Sequence, residues 1–370
     1  MASVLITGGA GFIGAHLAAE LLQSGDDVRV LDNLEPQVHG GTGRPEYLPD
    51  DVELVVGDVR DPEAVRGALQ GIDRVVHLAA RVGVGQSMYE LAEYTGTNAH
   101  GTSVLLQALL DHPLERLVVA SSMSVYGEGL YRDPAGEVTA AATRSREQLQ
   151  AGRWEPCGPG GEELVPMPTP ESKPPSLSSV YALNKFDQER LCLLFGEAYQ
   201  VPTVALRFFN VYGPYQALSN PYTGVLAIFA SRLLNDRSPL VFEDGEQRRD
   251  FVSVHDIARA CSLALTRDRA AGHVINVGSG RSITVNKIAT RLSRILGKEH
   301  IVPEVTGKYR VGDIRHCFAD IGLARELLGF EPQTELDDGL VELAGWLEGQ
   351  VAVDSVDTAA KELASRGLTV

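Results

Sequence analysis

The chain has 370 residues, of which 44 % are hydrophobic and 22 % charged, and its formal net charge is −16. This length suffices for one large α/β domain or two domains of common size, and the acidic balance argues against nucleic acid as a partner. No stretch approaches the roughly 20 apolar residues that span a bilayer, and no secretory signal is recognisable, so neither a membrane partner nor export is expected. The four widely spaced cysteines indicate reduced thiols in a cytoplasm and no metal site.

The N-terminal part alternates apolar runs typical of strands with amphipathic runs typical of helices. Strands are predicted at residues 3–7, 27–33, 52–58, 73–80 and 114–122. Helices are predicted at residues 16–25, 62–71 and 96–112. This order predicts an α/β fold with a doubly wound parallel sheet, and similar patterns recur after Arg207, at residues 249–265 and 274–297.

Residues 128–178 interrupt the alternation, because eight prolines and several glycines crowd a stretch without a strand pattern. One short helix is predicted at residues 140–152, with Thr139 capping its start and Gly152 its end. A long irregular segment inside a compact domain is usually functional or mobile. A second helix is predicted in the C-terminal tail, on the surface and ending near Gly367.

Three glycines, Gly8, Gly11 and Gly14, lie between the first strand and the first helix. They could form only a tight turn, or they could leave the backbone bare for a phosphate at the helix N-terminus. The second strand ends at Asp32, 18 residues past Gly14, where a carboxylate can bind ribose hydroxyls and repel a 2′-phosphate. Because strand, glycines, helix, strand and acid occur in this order, we predict an NAD site rather than an NADP site.

The segment YALNK contains Tyr181 and Lys185, which lie on one face of a helix because they are four residues apart. A free tyrosine has a pKa of about 10, and a neighbouring ammonium stabilises its phenolate. Alone, such a pair could equally be a surface feature. Ser122, at the end of the fifth strand, can hydrogen-bond the same reacting hydroxyl, although it could also only satisfy loop backbone groups. Together these residues favour catalysis.

An ordered series of motifs resembles the extended short-chain dehydrogenases/reductases, in particular the nucleotide-sugar epimerase and dehydratase family. The resemblance covers residues 2–347, and its motifs include TGGAGFIG, LDNL, GDVRD, HLAA, TNAHGT, SSMSVYG, YALNK, RFFNVYGP, GEQRRDFVSVHD, NVGSG and YRVGDIRHCFAD. It implies a Rossmann-type NAD-binding domain at 1–207 that includes the 128–178 insertion. A smaller C-terminal α/β substrate domain follows at 208–347, of which some segments could return to the first domain, and then a helical tail at 348–370.

The resemblance also assigns roles to individual residues. The residues implied to line the NAD site are Gly8, Gly11, Phe12, Ile13 and Gly14 at the pyrophosphate, Asp32 and Asn33 at the ribose, Asp58 and Val59 at the adenine, and Leu78, Ala79, Ala80 and Asn98 along the cofactor. Ser122, Tyr181 and Lys185 match the catalytic triad, of which Tyr181 and Lys185 also contact the cofactor. The residues implied to bind a nucleoside-diphosphate sugar are Ser122, Asn210 at the pyrophosphate or sugar, Arg249 and Arg310 at the diphosphate, and Asp313 at the nucleotide ribose.

The positions after Ser122 discriminate between the reactions of this family. Its 4,6-dehydratases carry Asp and Glu there and its decarboxylases usually carry the Glu, whereas this chain has Met123 and Ser124. Neither side chain transfers protons usefully at neutral pH, so we predict 4-epimerisation of a UDP- or dTDP-hexose or 6-deoxyhexose. A dehydratase, a decarboxylase, a reductase or dehydrogenase, and a non-catalytic NAD sensor or scaffold remain alternatives. Cys317 is interpreted as a small wall of the sugar pocket rather than as a base.

Two structural features carry hypotheses about assembly and specificity. Members of this family commonly dimerise through two helices, which correspond here to residues 94–111 and 179–198, so a homodimer is expected. The insertion at 128–178 is longer than in most members, and it lies next to the predicted catalytic tyrosine. It is therefore predicted to be a lid over the sugar or a subunit contact, and to influence sugar specificity.

Overall fold

The computed structural model describes all residues except 42, 141–143, 221, 223, 311, 351–353, 355 and 370. The strands are Ser3–Thr7 (β1), Asp27–Asp32 (β2), Glu53–Val56 (β3), Arg74–His77 (β4), Arg116–Ser122 (β5), Leu130–Arg132 (β6), Val138–Ala140 (β7), Val165–Met167 (β8), Thr203–Phe208 (β9), Asn210–Tyr212 (β10), Leu240–Val241 (β11), Arg248–Arg249 (β12), Phe251–Ser253 (β13), Val274–Val277 (β14), Ile283–Thr284 (β15), Glu304–Val305 (β16) and His316–Cys317 (β17).

The helices are Phe12–Gln23 (α1), Pro36–His39 (α2), Pro62–Leu69 (α3), Val84–Ser87 (α4), Leu91–Thr95 (α5), Gly101–Leu109 (α6), Arg146–Gln150 (α7), Val180–Tyr199 (α8), Val225–Leu234 (α9), Val254–Thr266 (α10), Val285–Ile295 (α11), Gly322–Leu328 (α12), Leu336–Leu347 (α13) and Val356–Ser365 (α14). A π-helical turn at Gly96–His100 joins α5 to α6. No helix in the described ranges is both long and apolar enough to cross a membrane.

Seven strands form the central sheet, in the order β14-β9-β5-β4-β1-β2-β3, and every neighbouring pair is parallel. The chain leaves β1 toward β2 and β3 on one side and returns to β4 and β5 on the other. Strand order therefore reverses between β1 and β4, and ligands of doubly wound sheets bind in the crevice at such a reversal. The predicted doubly wound parallel fold and its five N-terminal strands are confirmed.

Both faces of the sheet are buried, because successive side chains of a strand point to opposite faces. In β1, Val4 and Ile6 belong to one apolar cluster and Leu5 to the cluster on the other face. The first cluster also contains residues of α1 and α10, and the second contains residues of α3, α6 and α8. The sheet is thus a rigid central layer, and its carboxyl edge is a stable support for loops that carry chemistry.

A separate apolar cluster lies in the C-terminal part of the chain. It is built mainly by α9, α11 and α13, for example by Phe229, Leu292 and Leu343. The polypeptide nevertheless returns to the central sheet, since β14 pairs with β9 and α10 packs on α1. The region 208–347 therefore contributes both to the central sheet and to the separate apolar cluster. The domain boundary at residue 207 stays a prediction.

The insertion contains a small antiparallel sheet that its sequence did not predict. β6 is the central strand and pairs with β7 on one side and β8 on the other. Strands of three residues are too short to show a periodic pattern, so the expectation of a segment without strands was wrong.

The predicted helix at 140–152 was also wrong in its start. Thr139 lies in β7, and α7 begins after Ser145, whose hydroxyl accepts a hydrogen bond from the Gln148 amide at 3.1 Å. Residues 141–143 lie outside the described residues. The helix ends at Gln150, shortly before Gly152, whose φ of 68° is left-handed. Pairing of β7 with β6 uses the backbone groups of Thr139, so the next serine caps the helix instead.

Candidate active site

The glycine loop has the conformation that a phosphate-binding turn requires. Gly8 has a φ of 69°, and a Cβ there would lie 2.8 Å from the backbone of Ala79. A Cβ on Gly14 would lie 2.4 Å from the Cα of Gly9, so this glycine permits close packing of α1 on the loop. A Cβ on Gly11 would meet only the carbonyl of Gly8 at 3.4 Å. Gly8 and Gly14 are therefore packed against neighbouring backbone, whereas the space beside Gly11 is open.

The amides of Phe12 and Ile13 lie in the first turn of α1, immediately after the loop. Amides of a first helical turn have no intrahelical acceptor, and the helix dipole favours negative charge beside them. The predicted pyrophosphate position, from Gly8 to Gly14, therefore fits the local structure.

Asp32 is buried at the end of β2 and is held in place by the loop that it faces. Its carboxylate accepts hydrogen bonds from the amides of Ala10 at 3.0 Å and Leu34 at 2.9 Å. The imidazole Nε2 of His39 lies 3.4 Å from the carboxylate, and Tyr47 contacts the same imidazole at 3.3 Å. The sequence reading missed His39, because nothing in its spacing from Asp32 indicates a contact.

The residues predicted to flank the adenine, Asp58 and Val59, form contacts with Arg60 and Gly101. Arg60 donates to the carboxylate of Asp58 through Nη2 at 2.8 Å and Nε at 3.0 Å. These hydrogen bonds, with a further one from Asn33, hold the pKa of Asp58 below its ordinary value. Val59 is buried next to Gly101, where a Cβ would lie 2.6 Å from it. Asp58 thus anchors Arg60 at this end of the site.

The segment after β4 is fixed by hydrogen bonds to Thr7 and Asn98. The amide of Leu78 donates to the backbone carbonyl of Thr7 at 3.0 Å, the amide of Ala79 donates to the Thr7 hydroxyl at 3.3 Å, and Ala80 follows them. Asn98, in the π-helical turn, accepts from the amide of Arg81 at 2.7 Å and donates to its carbonyl at 3.0 Å. Asn98 therefore acts on the predicted cofactor path by holding its backbone.

The predicted catalytic residues meet at the carboxyl end of β5. Ser122 is the last residue of β5, and its side chain hydrogen-bonds the hydroxyl of Tyr181 at the start of α8. Burial raises the pKa of Tyr181 to about 12, and the hydrogen bond with Ser122 opposes this rise. Burial lowers the pKa of Lys185, one turn along α8, to about 8. The sequence led us to expect Lys185 to lower the pKa of Tyr181, but the two influences on this pKa are the burial of the phenol and the hydrogen bond with Ser122.

A buried ion pair fixes α8 against the sheet. Glu189 binds Arg207 of β9 through two hydrogen bonds, of 2.7 Å and 2.9 Å, and accepts a third from Ser121 of β5 at 2.7 Å. At the start of the helix, the amide of Tyr181 donates to the hydroxyl of Ser87 at 3.1 Å. The tyrosine is therefore held at both its side chain and its backbone.

The residues predicted to bind the substrate gather on one segment of the C-terminal part. The guanidinium of Arg249 donates to the carbonyl oxygens of Ile314 and, at 2.9 Å, of Arg315. Arg310 donates to Asp313 at 2.9 Å, so both predicted diphosphate arginines contact residues 313–315.

Asn210 lies beside Arg249, because the backbone amide of Asn210 donates to the carbonyl of Asp250, the residue after Arg249. Among the described residues, none is a hydrogen-bond partner for the buried side-chain carbonyl of Asn210. A buried acceptor without a partner is uncommon, and this one is compatible with the predicted role of Asn210 in binding the substrate.

Comparisons with known proteins agree with this arrangement. The model of the NAD dependent epimerase/dehydratase family matches residues 4–278, which is most of the chain. The chain belongs to this family.

Individual relatives of the epimerase family match over nearly their full length. The chain is 36 % identical to a dTDP-L-rhamnose 4-epimerase of Burkholderia thailandensis, over 93 % of this chain and 94 % of that protein. The UDP-glucose 4-epimerase of Thermotoga maritima, solved with UDP-glucose, has a TM-score of 0.77 at 30 % identity, with 94 % and 98 % covered. The Thermus thermophilus UDP-glucose 4-epimerase, solved with NAD, has a TM-score of 0.74 at 30 % identity, with 94 % and 100 % covered. The family and the fold class predicted from the motifs are confirmed.

In this epimerase-family chain, a charge network joins the insertion to the substrate-binding segment. Arg315 is 1 % exposed and donates to Glu243 at 3.0 Å, to Asp244 at 2.6 Å and to Glu155 of the insertion at 3.0 Å. The amide of Arg248 donates to Nδ1 of His316, so the proton is on Nε2, which donates to Glu155 at 2.8 Å.

A second arginine of the network comes from the insertion itself. Arg144 donates to Glu243 at 2.7 Å and to the carbonyl of Asp313 at 3.0 Å. Glu128 accepts hydrogen bonds from the amides of Arg315 and His316. The members of this network lie far apart in the sequence, so no motif could identify them.

The C-terminal tail also reaches the predicted substrate site. Thr369 forms a β-bridge with Arg310, and the guanidinium of Arg366 lies 4.4 Å from the centre of the Tyr89 ring. Leu363 is buried and packs against Gly85, in the segment that contacts Tyr181 through Ser87. The predicted surface helix therefore has one buried face, and the tail runs from the tyrosine end of the site to the arginine end.

The cysteines carry no metal site in the described part of the chain, in which no cluster of three or more His, Cys, Asp or Glu could hold an ion. All four thiols are free, and Cys157 alone is not buried. Burial raises the pKa of Cys317 to about 12, which disfavours a role as a base. Its assignment as a wall of the sugar pocket stays a prediction.

Protonation of Glu155 should weaken the charge network. Burial acts to raise the pKa of Glu155, but hydrogen bonds from His316 and Arg315 outweigh it and lower the pKa to about 2. Because the pKa of an unfolded glutamate is about 4.3, Glu155 makes its full contribution to the free energy of unfolding above that pH, and this contribution is lost as the pH falls toward 2. We expect Glu155→Gln to lower the melting temperature at pH 7 and to match the unsubstituted chain more closely at pH 3.

Thermal unfolding between pH 7 and pH 3 measures this difference. Glu163→Gln, an exposed glutamate of the same insertion, is the control and should leave the melting temperature unchanged at every pH. A Glu155→Gln difference that is constant over the whole range would contradict the assignment.

Proposed function

We propose that this chain is an NAD-dependent 4-epimerase of nucleoside-diphosphate sugars. The observation that carries the proposal is the contact of Ser122, at the carboxyl end of β5, with Tyr181 of α8, which also carries Lys185 one turn further on. The glycine loop follows β1 at the same edge of the sheet, and the segment after Arg310 reaches the start of α8, where the hydroxyl of Ser178 donates to a backbone carbonyl of that segment. Epimerase-family membership and the 4-epimerase relatives support the same reaction.

Each catalytic side chain has a defined task in this reaction. Tyr181 takes the proton from the sugar O4 and returns it, while Ser122 hydrogen-bonds the same oxygen and the phenol. Lys185 supplies a positive charge one helical turn away, which favours the phenolate. NAD, held by the glycine loop from Gly8 to Gly14 and by Asp32, would supply a reversible hydride acceptor for C4 of the sugar, so that the reaction needs no net oxidation.

Dehydration and decarboxylation are disfavoured by the residues after Ser122. Met123 is buried, and the buried hydroxyl of Ser124 has no hydrogen-bond partner among the described residues. Neither can remove or donate a proton at C5 or C6 near neutral pH. The second candidate is a reductase or dehydrogenase, which would produce NADH or NAD in proportion to turnover.

The substrate is proposed to be a dTDP- or UDP-linked hexose or 6-deoxyhexose. The relative from Burkholderia thailandensis supports dTDP-6-deoxyhexoses, and that from Thermotoga maritima supports UDP-hexoses. Two arginines suit the diphosphate despite the net charge of −16, because a guanidinium forms two charge-assisted hydrogen bonds with phosphate oxygens. A cytoplasmic location is part of the proposal and is supported by the free thiols.

Tyr181→Phe tests the reaction directly. Removing the phenol should lower the turnover number by about 10²- to 10⁴-fold, the usual contribution of a general base, while the dissociation constant for NAD stays within about twofold. NMR of C4 configuration in a panel of UDP- and dTDP-sugars measures turnover, and calorimetry measures NAD binding. Tyr199→Phe, on the exposed end of the same helix, is the control. NADH formed in proportion to product would favour the dehydrogenase instead.

The insertion is proposed to shape sugar specificity. Its residues Arg144 and Glu155 hold the segment that carries Asp313, and the ring of Trp154 lies 6.5 Å from that of Tyr309. Deleting residues 140–165, the direct test, would also leave Glu243 without Arg144 and so destabilise the chain. A single substitution in the insertion separates specificity from folding.

Trp154→Ala should change the ratio of kcat/KM between a UDP-hexose and a dTDP-6-deoxyhexose. One lost apolar contact discriminates substrates by about 10- to 200-fold, so a change of about tenfold is expected, with NAD affinity unchanged. Arg153→Ala, at the exposed neighbouring residue, is the control. An unaltered ratio for every sugar pair would dismiss a role of the insertion in specificity.

A homodimer through α8 and the α5–α6 helix completes the proposal. Leu183 and Leu194 of α8 are about half exposed, at 51 % and 52 %. They are three helical turns apart and therefore share one face. Leu91 and Leu110 are exposed at the two ends of the α5–α6 helix. Exposed apolar residues that line one face are typical of an interface.

Introducing charge on this face should separate the subunits. We expect Leu183→Lys combined with Leu194→Lys to convert a dimer of the full chain into a monomer in light scattering after gel filtration. Val341→Lys, at an equally exposed position of α13, should stay dimeric. A monomeric unsubstituted chain would exclude the dimer.

A further inference from the structure

Behind Lys185 lies a buried polar network that the reaction described above does not use. The ammonium of Lys185 donates to the side-chain carbonyl of Gln188 at 2.9 Å. The amide nitrogen of Gln188 is 3.0 Å from the hydroxyl of Thr102, 3.2 Å from Nε2 of His77 and 3.4 Å from the carbonyl of Ala79. Gln188 is fully buried, and the network joins α8 to β4 and α6.

The partners of the network fix the orientation of the Gln188 side-chain amide. The hydroxyl of Thr102 donates to the carbonyl of Asn98 at 2.5 Å, so its oxygen is left to accept from Gln188. Burial and the nearby charge of Lys185 lower the pKa of His77 to about 3, so the ring is neutral. Its Nδ1 lies 2.7 Å from the hydroxyl of Thr7, and its Nε2 lies 2.9 Å from the hydroxyl of Thr102, to which it can donate. The side-chain nitrogen of Gln188 thus faces two acceptors, the hydroxyl oxygen of Thr102 and the carbonyl of Ala79.

A rotated side chain of Gln188 would point its carbonyl at two acceptors, on Thr102 and Ala79, and its amide at an ammonium. These favourable contacts would become unfavourable among buried groups. The carbonyl of Gln188 is therefore held toward Lys185 by Thr102 and Ala79.

We propose that Gln188 is a positioning residue that holds the ammonium of Lys185, one helical turn from Tyr181, and keeps it protonated. This inference rests on the proposed function, because it concerns the charge on which the phenolate depends. A buried ammonium needs acceptors to offset its desolvation, and Gln188 supplies one that contacts with α6 and the segment after β4 keep in place. The titratable groups whose charges act on Lys185 are Cys192 of α8 and His77 of β4, and both are neutral at pH 7 because of their raised and lowered pKa. Tyr181, one helical turn away, is neutral as well because its pKa is raised.

A double-substitution cycle separates this role from simple packing. Gln188→Leu, Lys185→Met and the double variant are unfolded by urea as full chains at saturating NAD, after the NAD affinity of each has been measured. We expect Gln188→Leu to raise the equilibrium constant of unfolding at least about tenfold more in the Lys185 background than in the Lys185→Met background, because a hydrogen bond to a charged group is lost only in the first. A purely structural glutamine would cost the same in both backgrounds and would overturn the proposal.

The pH dependence of the same cycle gives a second, independent outcome. Burial lowers the pKa of Lys185 to about 8, below the ordinary value of about 10.4, so stability rises with pH between these two values. Without Gln188 the pKa should fall further, and the extra cost of Gln188→Leu should shrink above pH 9, where the folded-state lysine is neutral with or without Gln188. A cost that does not change between pH 7 and pH 10 would overturn the proposal. Gln188→Met replaces the leucine variant should that variant fail to fold.

Kinetics connect the network to turnover. Gln188→Leu should lower kcat about tenfold or more with KM for the sugar within about twofold, and move the acid limb of the kcat profile to higher pH. Gln188→Glu keeps an acceptor and should retain more of kcat than the leucine variant, whereas Arg190→Ala on the exposed face of α8 should change nothing. Equal loss in the glutamate and leucine variants would contradict a positioning role. If no sugar is epimerised, the proposed function fails, and the unfolding cycle still decides the role of Gln188.

Discussion

The proposed chemistry depends on a buried ammonium one helical turn from a partly buried phenol. Burial favours the neutral form of both Lys185 and Tyr181, so contacts already in place must stabilise the charged form of each. The sheet supplies these contacts from fixed positions. Ser122 at the end of β5 binds the phenol, Gln188 binds the ammonium, and Glu189 clamps α8 to β5 and β9. Preorganised groups of this kind need no rearrangement as charge develops.

The net charge of −16 poses a problem for an enzyme of anionic sugars, and the C-terminal part solves it locally. Arg315 is surrounded by Glu243, Asp244 and Glu155, so its charge is neutralised within the protein and serves structure. Arg249 is held by backbone carbonyls, which carry no net charge. Burial lowers the pKa of Arg249, and the phosphate of the proposed substrate would offset that cost. Because charges act most strongly at short range, a guanidinium group placed in this way suits the proposed diphosphate site despite the global field.

How far the sequence could predict the structure depends on the range over which each signal acts. The central strands, the glycine loop and Tyr181 with Lys185 are encoded by local periodicity or short motifs, and the structure contains them where they were predicted. The contact of Gln188 with His77 joins residues distant in sequence, and that of His39 with Asp32 crosses an irregular loop, so no spacing rule indicates either. The strands of the insertion failed for a different reason, since three residues are too few for a period to show.

The two parts of the proposed site are held by different segments. Contacts of Tyr181 and Lys185 come from the sheet and from helices packed on it, including Ser87 of α4 and, less directly, α6. The segment around Asp313 is held by the insertion and approached by the tail through Arg310. Loops and tails tolerate insertions because few core contacts depend on them. This separation supports the proposal that the insertion shapes sugar specificity, because a change there acts on the segment around Asp313 and not on the contacts of Tyr181.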